Sequence, residues 1–212
     1  MNSGVPVNYR ELVAFVLLLL SRSLLAIGVI NADVKSLIED TSPQSPIFNS
    51  SIVISNSMQC RRIWSASIQN FMTCCNIPTS NKVKCLPSFI IAGVQKGGTT
   101  ALSALLCTVD IVSFSKKKEA HFFDNLKRYN DGITGYFNQF HEWDYAATNG
   151  LNPPAFGEST PFYIASRDAC RRIAETIPDV KLIVLLREPV LRAHSEYEMK
   201  KRLHLIPRKL KY

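Results

Sequence analysis

The chain has 212 residues, of which 46% are hydrophobic and 20% charged, with a formal charge of +8. That length allows one sizeable domain plus attachments, and the composition is that of a globular chain, which excludes a disordered one. Residues 181–212 hold nine Lys/Arg against three Glu. This excess predicts either an anionic partner or a solvated basic helix face, and no recognition motif or aromatic stacking platform beside it points to nucleic acid.

A short tail, 1–11, precedes an apolar run at 12–30 that only Ser21-Arg22-Ser23 interrupts. Its 19 positions approach the roughly 20 that span a bilayer. A central arginine opposes insertion by about 2.5–3.5 kcal/mol, while each Leu, Ile, Phe or Val favours it by about 0.3–0.6, so the apolar residues outweigh it. Two readings stand: an uncleaved signal-anchor helix, or a signal peptide with 12–20 as its hydrophobic region and a cleavage site near Ala32. Arg10 before the run and Asp33 after it favour a cytoplasmic N-terminus for an anchor, the type II orientation. Either way the rest of the chain enters the secretory pathway.

Residues 31–84 are irregular, with clusters such as Thr41-Ser42-Pro43-Gln44-Ser45-Pro46, and read as a stem or linker. Asn49-Ser50-Ser51 is a glycosylation sequon, usable in a lumenal segment. The six cysteines lack zinc spacing. In a lumenal chain Cys60, Cys74, Cys75 and Cys85 are bridge candidates of open connectivity, while Cys107 and Cys170 lie in apolar helical patterns expected to bury their thiols.

The folded part is expected over 85–212, organised around Phe89-Ile90-Ile91-Ala92-Gly93-Val94-Gln95-Lys96-Gly97-Gly98-Thr99-Thr100. The apolar run predicts a strand covered on both faces, the glycines a tight turn, and 101–106 a helix capped by Thr99 and Thr100. Gly97 and Gly98 let backbone N–H groups approach an anion at the helix start, and Lys96 adds a charge there. A Walker A loop would place lysine where Thr99 stands. The displaced lysine argues for a phosphate cradle serving a different 5′ group, against the plainer alternative of a structural strand–turn–helix.

A short strand is expected at 111–114, followed by Lys116-Lys117-Lys118-Glu119-Ala120-His121-Phe122-Phe123-Asp124. In an extended segment Glu119 and His121 share a face, placing two proton-transfer groups beside an aromatic pair able to shield them from water. The plainer alternative is a surface Glu and a partly packed His. Residues 131–140 suit a short helix, 156–161 a strand end and turn, and Ser166 a cap for a helix ending before Pro178.

Residues 181–186 predict a second buried strand, ending in Arg187-Glu188-Pro189. A magnesium-dependent phosphotransferase would put a metal-binding Asp at such a strand end, so the arginine disfavours a nucleotide kinase. Arg187 suits bidentate recognition of phosphate, Pro189 the first turn of a helix, and Ser195 lies about two turns along it. No metal site is evident.

Gln95-Lys96-Gly97-Gly98-Thr99-Thr100 resembles the 5′-phosphosulfate loop of sulfotransferases that use 3′-phosphoadenosine 5′-phosphosulfate (PAPS). The Lys-Glu-x-His-Phe-Phe stretch at 118–123 resembles that of their glycosaminoglycan-type members, and 186–197 resembles their 3′-phosphate motif. The resemblance implies a P-loop-like three-layer α/β fold with a central parallel sheet. It implies PAPS as co-substrate, held by Lys96, Gly97, Gly98, Thr99, Thr100, Arg187 and Ser195. It also implies Glu119 as catalytic base, with Lys96 and His121 assisting, no metal, and a carbohydrate acceptor, in a type II Golgi membrane protein with a lumenal catalytic part. In heparan-type relatives the matching turn is commonly Glu-Lys-Thr-Pro. Here Ser159 stands in the lysine's place, which leaves one fewer cation for the acceptor. Relatives continue well past the 3′-phosphate helix, whereas this chain has 17 residues after Ser195. A catalytically silent, membrane-anchored fragment that binds nucleotide weakly or partners a longer enzyme is therefore the alternative expectation.

Overall fold

The computed structural model describes residues 27–28, 60–65, 70–77, 82–144 and 153–205. The sequon, the cleavage site, Tyr145, the basic residues Arg208, Lys209 and Lys211, and nearly all of the 12–30 run lie outside the described residues. Within that run Ile27–Gly28 forms a two-residue strand, β1, where the apolar pattern predicts helix. Among the described residues no helix is long and apolar enough to cross a membrane.

The centre is a mixed α/β unit built on a five-stranded sheet. Strand β5 (Phe89–Gly93) is buried at every position, as a strand flanked on both sides requires. It pairs in parallel with β8 (Ala155–Ser159) and β9 (Lys181–Leu185), and β6 (Val112–Phe114) extends the parallel set beyond β8. β1 adds an antiparallel edge to β9, giving the order β1-β9-β5-β8-β6.

The helices follow from local chemistry. In α1 (Thr99–Leu106), the buried residues Thr99, Leu102, Ser103 and Leu106 fall on one face at helical spacing. The short helix expected within 131–140 is α3 (Ile133–Phe137), preceded by a further one-turn helix, α2 (Leu126–Asn130), with Gly132 at φ +92° between them. Ser166 caps α4 (Arg167–Thr176) by accepting the Ala169 N–H at 3.2 Å, as its position predicts. Helix α5 (Pro189–Arg202) has proline in its first turn and Glu188 accepting the N–H groups of Val190 and Leu191 at 2.9 and 2.6 Å.

The stretch read as stem holds more structure than its composition suggested. β2 (Cys60–Ser65), β3 (Asn70–Asn76) and β4 (Val83–Cys85) join β7 (Glu142–Trp143) in an antiparallel sheet of order β2-β3-β4-β7. Ile63, Met72 and Val83 from this sheet share one hydrophobic core with Phe89, Ile90 and Phe156 of the parallel sheet. Main-chain bonds continue the connection, with Leu86 N–H donating to Thr73 O at 2.9 Å and Ser88 N–H to Phe156 O at 2.8 Å.

Cys60 and Cys75 are directly opposed across β2 and β3, Cys74 and Cys85 across β3 and β4, and both pairs are disulfide-bonded. Their adjacency in sequence puts Cys74 and Cys75 on opposite faces of β3, so each reaches a different neighbour. Cys107 and Cys170 are free and exposed, which corrects the expectation that their thiols are buried. Cys107 is the C-terminal cap of α1, one step past its buried face, and Cys170 lies beside the buried Ala169 rather than on its line. Replacing Cys74 and Cys85 together by serine is expected to cost about 2–4 kcal/mol of stability, read from denaturant unfolding of the oxidised protein.

Candidate functional site

All four parallel strands deliver their carboxyl ends to the same edge of the sheet, the edge where ligands bind in open α/β folds. β5 leads into the glycine loop, β6 into the 115–124 segment, β8 into Ser159-Thr160-Pro161, and β9 into Arg187.

The loop after β5 is fixed by the end of β9. Val94 N–H donates to Leu185 O at 3.1 Å, and Gly97 N–H returns to Val94 O at 2.9 Å. A Cβ on Gly97 would come within 2.8 Å of both carbonyl oxygens, so this close approach requires glycine. Gly98 has φ +100° and is the N-cap of α1. No side chain caps that helix, and Thr99 and Thr100 are its first two residues rather than its caps. This corrects their expected role and leaves first-turn N–H groups at the helix start for an anion. Arg187 Nη1 donates to Lys96 O at 3.2 Å, which joins the two segments singled out as phosphate-binding.

The segment after β6 brings Glu119 and His121 together, with Glu119 Oε2 3.3 Å from His121 Nε2. The far ring nitrogen, Nδ1, is 2.7 Å from Asp124 Oδ2, so the imidazole is held between two carboxylates. A neutral ring has one N–H and donates to one of them, whereas the imidazolium donates to both. Asp124 lay inside the sequence motif without an assigned role; its spacing of three from His121 was the available signal. Lys118 closes the gap to the loop, its Nζ 2.7 Å from Thr100 Oγ1 and 3.6 Å from Glu119 Oε1.

Phe122 and Phe123 do not shield these groups from water. Both are buried beneath the segment, packed on Tyr129, Tyr136 and one another, and so act as its anchor. Glu119 and His121 remain about one-third exposed above them. Trp143, next in the aromatic series, is buried in the small sheet.

Lys96 has φ +65° and His121 φ +48°. Backbone in this region costs a non-glycine residue of order 1–3 kcal/mol and collects at functional sites. Among the described residues His204 is the only other non-glycine case. Ser195 sits half-buried on α5, and no hydrogen bond joins it to Arg187 among the described residues. Ser159 is buried with its hydroxyl unpartnered among the described residues, a small polar position where a lysine would bring a charge.

The chain is 38% identical over 136 residues to the membrane-associated sulfotransferase kil1 of Dictyostelium discoideum, covering 64% of this chain and 27% of that protein. It is 35% identical over 115 residues to human heparan sulfate glucosamine 3-O-sulfotransferase 5, covering 54% and 31% respectively. With human heparan sulfate glucosamine 3-O-sulfotransferase 3B1 the identity is 39% over 114 residues, covering 54% and 27%. The chain thus spans less than a third of the length of these curated relatives. A solved sulfotransferase from Alicyclobacillus acidocaldarius aligns with a TM-score of 0.45 at 27% identity, covering 60% of this chain and 53% of that one. The sulfotransferase domain family matches residues 86–211, over half the sequence and all the segments that meet at the sheet edge, and the chain belongs to that family.

Proposed function

We propose that this chain transfers a sulfuryl group from PAPS to a hydroxyl or amine of a carbohydrate acceptor, on a P-loop-like, three-layer arrangement of the parallel sheet. The observation that carries the reading is the Lys118 bridge, which holds the Glu119 carboxylate beside the start of the phosphate-loop helix. A base and an anion cradle are thereby adjacent, as in-line transfer between an acceptor and a phosphosulfate requires.

In this mechanism Glu119 takes the acceptor proton as the acceptor oxygen or nitrogen attacks sulfur. Lys96 and the N–H groups of Gly97–Thr100 stabilise the charge that develops on the departing 5′-phosphate. Arg187 and Ser195 hold the 3′-phosphate, and His121 orients Glu119. Asp124 in turn fixes the ring of His121. Asp124→Ala is expected to lower turnover by about 10- to 100-fold, the loss of one charge-assisted hydrogen bond, with nucleotide affinity unchanged.

The two disulfides suit an oxidising compartment, which supports a lumenal catalytic part. We propose a type II Golgi anchor on the 12–30 run, with secretion after signal cleavage as the alternative; both require Ile27–Gly28 to leave the edge of the sheet where β1 pairs with β9. Relatives named for heparan sulfate glucosamine support a glycan acceptor.

One observation favours a second reading, a silent form that partners a longer enzyme: α5 has no buried residue and exposes Val190, Leu191 and Tyr197. Calorimetry with adenosine 3′,5′-bisphosphate, followed by radiolabelled sulfuryl transfer from PAPS to a glycan panel, separates the two. Saturable binding with transfer supports the enzyme, and binding without transfer to any acceptor supports the silent form. A folded protein with no binding sinks the nucleotide site itself.

A further inference from the structure

Among the described residues the proposed chemistry leaves one fully buried carboxyl unused. Glu158, near the end of β8, is the acidic residue among the buried polar side chains, with no exposed surface. Burial holds its carboxyl above the ordinary carboxylate range, an effect that hydrogen bonds from Thr160 and Tyr136 offset only in part. The Tyr136 hydroxyl donates to Oε2 at 2.6 Å and the Thr160 hydroxyl donates to Oε1.

A hydroxyl has one proton, so giving it to the carboxylate turns the oxygen lone pairs the other way. Those lone pairs meet the site segment. Thr160 Oγ1 accepts the N–H of Ala120 at 3.1 Å and that of His121 at 3.5 Å, and Tyr163 Oη accepts the N–H of Phe122 at 3.1 Å. The carbonyl side of the same segment is held by arginines. Arg128 donates to Ala120 O and, at 3.4 Å, to His121 O, and Arg172 donates to Phe123 O at 2.7 Å. Residues 119–122 belong to no helix or strand, and His121 is in the left-handed region, so these bonds replace the support a ladder would give.

We propose that Glu158 is a positioning residue, which fixes the direction of the Thr160 hydroxyl and through it holds the Ala120–His121 backbone that carries the Glu119–His121 pair. Glutamine keeps one oxygen and can turn its NH2 to Tyr136, leaving Thr160 undisturbed, whereas leucine offers no acceptor and releases the Thr160 hydroxyl from its fixed direction. The kinetic consequence rests on the sulfotransferase reading; the hydrogen-bond placement does not.

The test is amide exchange by NMR on the full chain. In Glu158→Leu the amides of Ala120 and His121 are expected to exchange at least about tenfold faster than in the wild type, with Ile90 and Ile91 of β5 unchanged. The His121 ring resonances move with them. Thr160→Val reproduces the loss, and Thr160→Ser, which keeps the hydroxyl, retains protection. If Glu158→Leu does not fold, the contrast between the two Thr160 variants decides. Unchanged protection of the two amides, or equal acceleration in β5, overturns the proposal in favour of a general stability role. In an active wild type the variant lowers kcat without raising KM for PAPS. A wild type that does not turn over defeats the functional reading and leaves the exchange result to decide the positioning role.

Discussion

Glu119→Gln is expected to lower sulfuryl transfer by about 10²- to 10⁴-fold, the usual contribution of a general base. The substitution keeps the shape of the side chain and an oxygen for Lys118, but removes the basic carboxylate that takes the acceptor proton. Among the described residues Glu119 pairs with Lys118 and His121 and makes no bond to the loop backbone. Affinity for adenosine 3′,5′-bisphosphate is accordingly expected to stay within about twofold of wild type, since the lost interaction belongs to the transition state rather than to nucleotide binding. Transfer assays and calorimetry on the same preparation check both halves. Full turnover in the variant would remove Glu119 from the base role; a parallel loss of nucleotide affinity would make it a structural prop for the loop.

The different fates of the two carboxylates show where sequence is informative. Glu119 was legible because it stands two residues from a histidine, in a segment whose lysines and aromatics mark it as unusual. Glu158 was not, because its partners Tyr136, Thr160 and Tyr163 gather only when β8 packs against the aromatic layer under the 120–124 segment. A carboxylate in a Gly-Glu-Ser-Thr-Pro turn reads locally as exposed, and its burial is a tertiary fact.

The same distinction separates the two sheets. The 89–92 and 182–186 runs are continuous and apolar, so both central strands could be located within a residue or two. The small sheet alternates buried and exposed side chains over short strands flanked by Ser, Asn and Pro, a weak signal that composition reads as linker. Its strongest marker was the adjacent pair Cys74-Cys75, whose meaning appears only with the register that sets each against its own partner. Helix starts were legible at Ser166, whose side chain caps the backbone, and at Pro189, the first residue of α5. They were misassigned at α1, where Gly98 leaves the threonines inside the helix.

Arg187→Ala is expected to weaken binding of adenosine 3′,5′-bisphosphate by at least about tenfold, from the loss of charge-assisted hydrogen bonds worth about 1.5–3 kcal/mol. The experiment must separate the 3′-phosphate role proposed for Arg187 from a structural one, because its Nη1 donates to Lys96 O and so braces the glycine loop. Adenosine 5′-phosphate, which lacks the 3′ group, provides the control. If Arg187 reads the 3′-phosphate, the wild type prefers the bisphosphate and Arg187→Ala abolishes the preference, leaving affinity for adenosine 5′-phosphate largely intact. Lys96→Ala, by contrast, weakens both ligands together. Arg187→Lys restores the charge without the planar fork and should recover only part of the preference. Equal weakening of both nucleotides by Arg187→Ala would show that the arginine acts through the Lys96 carbonyl alone. The 3′-phosphate would then have to be held elsewhere along α5, where Ser195 is the first residue to test.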